Sequence, residues 1–316
     1  MTSAGSPALL HGSGGFARRL DDCFFAPATP QALGVCRLLF FAGLLALFVS
    51  EDFSTWSTVA RETFRPVYLF RRFGWKPIDG SIVDGMQIAW FVSLVTAAIG
   101  LLTPLSIAVA LCLGAYLLGL PSSFGKIGHG DGCLIIVTFL LLISRCGDAW
   151  SVDSLIWRRP RPASGEYRWP IVAVRVLLAV IFCAAGWTKL VNSGLAWVFS
   201  DHLQILIMQH RYGLKDVPWP AAATFFAERP TVCRILAGGS LLLEIGFPAA
   251  LFVRGWPRAA IVLSALLMQV MIGLLMGVYF FQFLLLYLFW LPWERWSMAR
   301  ATPPAAASRS SAHPTT

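Results

Sequence analysis

The strongest constraint on this chain is the recurrence of apolar runs close to 20 residues long. Residues 31–50 read QALGVCRLLFFAGLLALFVS, with Arg37 as the single charge. Comparable runs lie at about 85–102, 104–120, 132–147, 170–190, 231–253, 257–276 and 278–292. A helix needs about 20 such residues to cross a hydrocarbon core of roughly 30 Å. Backbone polar groups in lipid must bond internally, so runs of this kind can only be buried as helices. The expected fold is therefore all-α: a polytopic integral membrane helix bundle of about eight transmembrane helices, or seven if the crowded final pair is one span.

Composition supports this reading. Hydrophobic residues make up 57% of the 316 positions and charged residues 13%, about half the usual share in a soluble domain. No loop is long enough for a sizeable soluble core. The expected division is an N-terminal cytoplasmic segment at 1–27, a membrane domain at 28–296 and a disordered tail at 297–316, rich in Ala, Ser and Pro. The N-terminus lacks the apolar core of a secretory signal. The net charge of +9 is carried by loop arginines without interleaved aromatics, so no nucleic-acid partner is expected. The seven cysteines, Cys23, Cys36, Cys112, Cys133, Cys146, Cys183 and Cys233, form no C-x-x-C pair. Most lie inside apolar runs, where Cys is a small hydrophobe, and no metal site is expected.

Loop charge gives an expected orientation. Arg158, Arg159, Arg161 and Arg168 crowd one short connection, and the positive-inside rule puts it in the cytoplasm. Arg18, Arg19, Arg254, Arg258, Arg295 and Arg300 then fall on the same side, with both termini. The opposite loop, 51–84, balances five basic against five acidic residues. In this arrangement the loop 121–132 and the end of the fifth run, at Lys189, share the outer face. Two outer segments read as structured. The aromatic and basic stretch 66–77 has an interfacial character. The stretch 195–213 spaces Leu195, Val198, Leu203, Leu206 and Ile207 near the helical period.

Polar residues within apolar runs are the candidate site. Charges at bilayer depth cost about 2.5 to 3.5 kcal/mol on insertion scales and usually face protein. Arg37, Arg175 and Arg234 read either as snorkelling anchors or as interhelical ligands. Glu244 reads as the partner of a buried arginine or as a proton-handling carboxyl. Gln269 and Gln282 can hydrogen-bond between helices. Lys189 closes a run of small residues, CAAG, followed by Trp187 and Thr188; it is either an interfacial anchor or a partly desolvated amine able to act as a base. His129 lies in GHGDG, whose glycines permit close backbone approach. Asp131 either orients that histidine or caps the following helix. Lys189 and His129 are the candidate catalytic pair. Arg37, Asp131, Trp187, Trp197, Glu244 and Gln269 are the candidate substrate-binding residues.

These stretches also carry a resemblance. ALGVCRLLFFAGLLALF at 32–48, FRRFGWKP at 70–77, GHGDGCLIIVTFLLLI at 128–143, AWSVDSLIW at 149–157, AAGWTKLVNSGLAWVFSDHL at 184–203 and LLLEIGFPAALF at 241–252 follow the order of motifs in the horizontally transferred transmembrane domain family. The chain resembles the membrane part of the vitamin K-dependent gamma-carboxylases of that family. The resemblance implies that Lys189 is the base that deprotonates a reduced, vitamin K-type quinone. It implies that His129 stabilises the reacting glutamate or its carbanion, with the site open to the outer face. Two departures matter. The carboxylases continue into a large extramembrane domain that holds their protein substrate, whereas this chain ends soon after Trp296. Gln269 stands where many relatives have a histidine. Carboxylation of protein glutamate is therefore not expected.

Two functions remain open on the sequence. One is an enzyme of the lipid bilayer acting on a quinone or another lipid-soluble substrate from the outer face. The other is a non-catalytic membrane module with a protein partner, in transport, maturation or immunity. The sequence shows no inverted repeat with matched broken helices, the mark of many transporters.

Overall fold

In a computed structural model, the chain is described over residues 21–22, 24–126, 128, 130–158, 161–213 and 217–293. The N-terminal segment and the tail expected to be disordered lie outside those residues, apart from the last few before Ala28. Among the described residues there are thirteen α-helices and no strand beyond an isolated bridge between Ala28 and Ser164. The helices are α1 (Pro30–Phe48), α2 (Tyr68–Phe73), α3 (Gly80–Ile99), α4 (Thr103–Ser123), α5 (Asp131–Leu142), α6 (Val152–Trp157), α7 (Trp169–Ser193), α8 (Ala196–Phe199), α9 (His202–Tyr212), α10 (Pro220–Ala227), α11 (Pro230–Gly246), α12 (Trp256–Met276) and α13 (Phe281–Tyr287). Short 3₁₀ segments extend α11 through Leu251 and α13 through Trp290.

The expected all-α membrane bundle is what these residues form. Six segments are long and apolar enough to cross a membrane: Pro30–Phe48, Gly80–Ile99, Thr103–Ser123, Gly165–Ser193, Pro230–Leu251 and Trp256–Met276. The two remaining runs make apolar but shorter helices, Asp131–Leu142 and Phe281–Trp290. The 12 residues of α5 rise about 18 Å, well short of a hydrocarbon core of about 30 Å. The run at 132–147 overstates this helix. Past Leu142 the chain turns, and Ser144 Oγ and Cys146 Sγ donate to the Leu141 carbonyl at 2.8 and 3.3 Å. The final helix starts late because Gly277, at φ +64°, ends α12 in the left-handed conformation. Two residues past the end of α11, Pro248 supplies no N–H, and the chain continues as a 3₁₀ segment.

Other boundaries follow local chemistry rather than hydropathy. Helix α3 begins five residues before its apolar run, where the Asp79 carboxylate accepts the Ser81 N–H at 3.0 Å. It ends at Gly100, at φ +72°. A Cβ there would lie 2.8 Å from the Arg37 guanidinium, so only glycine serves both the turn and the packing. Three residues later α4 begins, and its cap comes from far along the chain. Asp153 accepts the N–H groups of Leu102 and Thr103 at 2.9 and 2.7 Å and the Thr103 hydroxyl at 2.7 Å.

The bundle has two distinct ends. At the first, Ala28 pairs with Ser164, placing the starts of α1 and α7 together. The loops 100–103 and 144–153 gather around Arg37 there. At the second, residues 51–79 fold as a cap over α3 and α4. Gln87 bonds the Phe53 N–H and the Glu51 carbonyl. Phe70 stacks on Tyr116 with ring centroids 5.2 Å apart. The main core contains Phe40, Phe41, Trp90, Phe182, Phe247 and Phe289. A smaller core of Ile207, Ala223, Ala227, Cys233, Leu275 and Met276 joins α9 and α10 to α11 and α12. The expected helix over 195–213 is broken at Ser200 and Asp201 into α8 and α9. Ile207 is buried in the small core with Leu203 and Leu206 against it, while Leu195 is exposed and does not share that face.

Candidate functional site

The site begins with Gly186 on α7. A Cβ at this position would lie 2.8 Å from Ile245 Cγ1 and 3.0 Å from Glu244 Cβ. Glycine thus lets α11 approach α7 closely, as small residues do where membrane helices cross. Lys189 is three residues on, so it occupies the same face of α7. It meets Glu244 directly: Lys189 Nζ donates to Glu244 Oε1 as an ion pair. The sequence left an arginine as one expected partner of Glu244; its partner is this lysine. Glu244 is only 4% exposed, and the Lys189 side chain is 24% exposed.

The ammonium has a second neighbour. Trp197, at the start of the segment that turns back after α7, places its ring centroid 5.1 Å from Lys189 Nζ. This is cation–π distance. Two buried polar atoms flank the ammonium without a hydrogen-bond partner: the second carboxylate oxygen, Glu244 Oε2, and the indole nitrogen, Trp197 Nε1. One accepts and the other donates. A buried polar atom left unpaired costs about 1–3 kcal/mol. A hydroxyl-bearing molecule that donates to Glu244 and accepts from Trp197 would offset both.

Sequence reasoning missed His202, because the whole of 195–213 read as an amphipathic helix. Its ring lies 5.9 Å from that of Trp197, and its Nδ1 is 2.6 Å from Ser200 Oγ. The signal was present in SDH at 200–202, where a hydroxyl stands two residues before an imidazole. Gly186 was missed as a positioning residue for the same reason that any helix glycine is: its value lies in what it packs against.

The other candidates are dispersed. His129 lies outside the described residues. Its neighbour Asp131 is the first residue of α5 and makes no capping bond; it accepts from Gln282 Nε2 at 3.1 Å. Trp187 is 64% exposed and, two residues from Lys189, lies on another face of α7. Gln269 is 8% exposed, with its Oε1 unpartnered. Along α12 it falls between Met268, packed on the main core, and Met271, packed on the small one. Arg37 is at the opposite end of the bundle. Its guanidinium donates to the carbonyls of Cys146 at 2.8 Å, Ala98 at 3.3 Å and Ala149 at 3.4 Å, and also to that of Trp150. Arg175 donates to the Phe289 carbonyl at 2.8 Å, and Arg234 pairs with Asp201 at 3.4 Å. Among the described residues no three His, Cys, Asp or Glu side chains stand close enough to hold a metal ion.

Comparison with known proteins adds no name to this arrangement: no family model, curated protein or solved structure matches the chain.

Proposed function

We propose that the chain is a membrane enzyme of the horizontally transferred transmembrane type, acting on a lipid-soluble hydroxylated substrate, a reduced quinone in the first instance. The observation that carries this is the part-buried Lys189–Glu244 pair flanked by an unpartnered acceptor and an unpartnered donor. Transfer of the ammonium proton to Glu244 leaves Lys189 a neutral amine. That amine takes the proton of the substrate hydroxyl, and the Trp197 N–H donates to the oxygen that becomes negative. His129 is proposed as the second acid–base group. Loop charge supports an orientation with both termini cytoplasmic and Lys189 towards the outer face.

A second reading has its own support. A cavity of about 280 Å³ lies beside Arg145 and Arg161, at the other end of the bundle from Lys189. In this reading the Lys189–Glu244 pair fixes the α7–α11 crossing of a non-catalytic module with a protein partner.

One experiment separates the two. Purified protein in lipid nanodiscs is given a reduced quinone in air-saturated buffer, with dioxygen as the oxidant, and quinol oxidation above the protein-free rate is followed optically. Lys189→Ala is expected to lower turnover at least about a hundredfold, the usual scale for a general base. Unchanged turnover in that variant removes Lys189 from the chemistry. Reporter fusions at Arg161 and Tyr212 check orientation, with cytoplasmic and external signals expected respectively.

A further inference from the structure

At the Arg37 end of the bundle there is a cavity of about 280 Å³ that the Lys189 site does not use. Its floor is apolar: Pro104 and Ile107 from α4, and Leu141 and Leu142 from α5. Its rim is charged, with Arg145, Asp148, Asp153 and Arg161, and Trp157 stands at its edge. A cavity half apolar and half ionic suits an amphiphile better than a wholly polar solute.

The sign of the ligand follows from which rim charges are already engaged. Asp153 is consumed by three donors at the start of α4. Asp148 holds Arg161 in an ion pair and accepts the Tyr167 hydroxyl at 2.8 Å. No carboxylate on the rim is left to attract a cation. Arg145 differs. It pairs with Glu166 at 2.8 Å, but both side chains are at least half exposed, and pairs of that kind contribute about 0–1 kcal/mol. Its guanidinium can therefore exchange Glu166 for a phosphate, which it grips bidentately. The lining carries two arginines, Arg145 and Arg161, and two carboxylates, Asp148 and Asp153; both carboxylates are engaged by donors of the chain, so Arg145 is the rim charge open to exchange.

Position supplies the rest. The cavity opens where α4 begins and α5 ends, at the end of the spans. Beside it α6 exposes Leu155, Ile156 and Trp157 together, the pattern of a segment lying in the headgroup layer. Below it α4 and α5 expose Leu105, Val109, Ile136 and Phe139, a surface suited to acyl chains. We infer that this cavity is a binding site for the phosphate headgroup of an anionic membrane lipid, held by Arg145 with Arg161 behind it and Trp157 at the rim.

The test uses the full chain purified in detergent and three probes: dioleoylphosphatidylglycerol, dioleoylphosphatidylcholine and inorganic phosphate. Melting temperature and retained lipid by native mass spectrometry are the readouts. Phosphatidylglycerol should raise the melting temperature and be retained, and phosphatidylcholine at equal mole fraction should do neither. Arg145→Gln, at an exposed position, should weaken the phosphatidylglycerol effect about tenfold, as expected for loss of one charge-assisted contact. Leu142→Trp, which fills the floor without altering charge, should abolish it. Equal retention of the two lipids, or an unchanged response in Arg145→Gln, overturns the site. A full shift with inorganic phosphate alone overturns the lipid assignment.

Discussion

The two ends of the bundle each hold a cation between helices, Arg37 buried and Lys189 partly so, and they treat it in opposite ways. Arg37 is fully buried, and its terminal nitrogens meet four backbone carbonyls from two separate segments. No carboxylate is involved. The guanidinium neutralises the carbonyl ends of α3 and of the turn after α5, as cations do at helix C-termini. Lys189 meets a carboxylate instead, and two polar atoms beside it are left unpaired. A cation surrounded by satisfied carbonyls locks loops together. A cation in an ion pair with unsatisfied neighbours is poised to exchange protons and partners. The two settings differ in the partner they give the cation, while each keeps a buried polar atom unpaired, Nε at Arg37 and Oε2 of Glu244 at Lys189.

The comparison can be broken experimentally. The largest expected effect is at Arg37. Arg37→Leu removes a charged donor from four carbonyls at once and is expected to lower stability by about 4 kcal/mol, read from thermal or denaturant unfolding in detergent. A loss below about 1 kcal/mol would mean that the loops hold themselves. A smaller effect is expected at Lys189. Lys189→Met should cost about 3 kcal/mol by leaving Glu244 buried and unpaired, whereas Lys189→Met with Glu244→Leu should recover most of it, because buried ion pairs replaced whole by apolar groups are often neutral. The double variant should stay inactive. If it regains turnover, the pair is structural and the two ends are alike after all.

The smallest effect is at Asp153. Asp153→Ala removes the cap of α4 and should cost about 1 kcal/mol at neutral pH. Burial pushes the Asp153 carboxyl up, but the Thr103 N–H and hydroxyl and the Leu102 N–H outweigh this and hold it below its ordinary value of 3.8. A folded pKa below the unfolded one means that the carboxylate's contribution is complete above about pH 3.8 and lost as pH falls through the lower folded value. The stability difference between wild type and Asp153→Ala should therefore shrink in acid. A difference that grows in acid would contradict the capping role.

Much of the fold was legible because hydropathy and helix length are the same physical quantity in a membrane. All eight apolar runs are helices. What hydropathy could not report was where the helix stops within the run. After Leu142 the chain turns at once through Ser144 and Arg145, and after Tyr287 it tightens to 3₁₀ although Leu288, Phe289 and Trp290 are as apolar as the residues before them. The site divided along similar lines. Lys189 and Glu244 stood out as charges where charge is costly, and each could be singled out alone. Their pairing could not, since it depends on Gly186 letting α11 approach α7. Trp197 was picked out as a candidate, yet its place over the ammonium depends on the break at Gly194, at φ +56°, that ends α7. Asp153 gave no signal at all, because its partners are about 50 residues away.

That separation gives the Asp153 cap a consequence in time. A nascent chain is delivered from its N-terminus, so α4 enters the bilayer while its first turn still lacks an acceptor for two N–H groups. The acceptor is synthesised only after α5 has been made and has turned back. Until then the start of α4 is an unfinished joint, free to slide or tilt. The arrival of Asp153 fixes the depth of a helix inserted well before it.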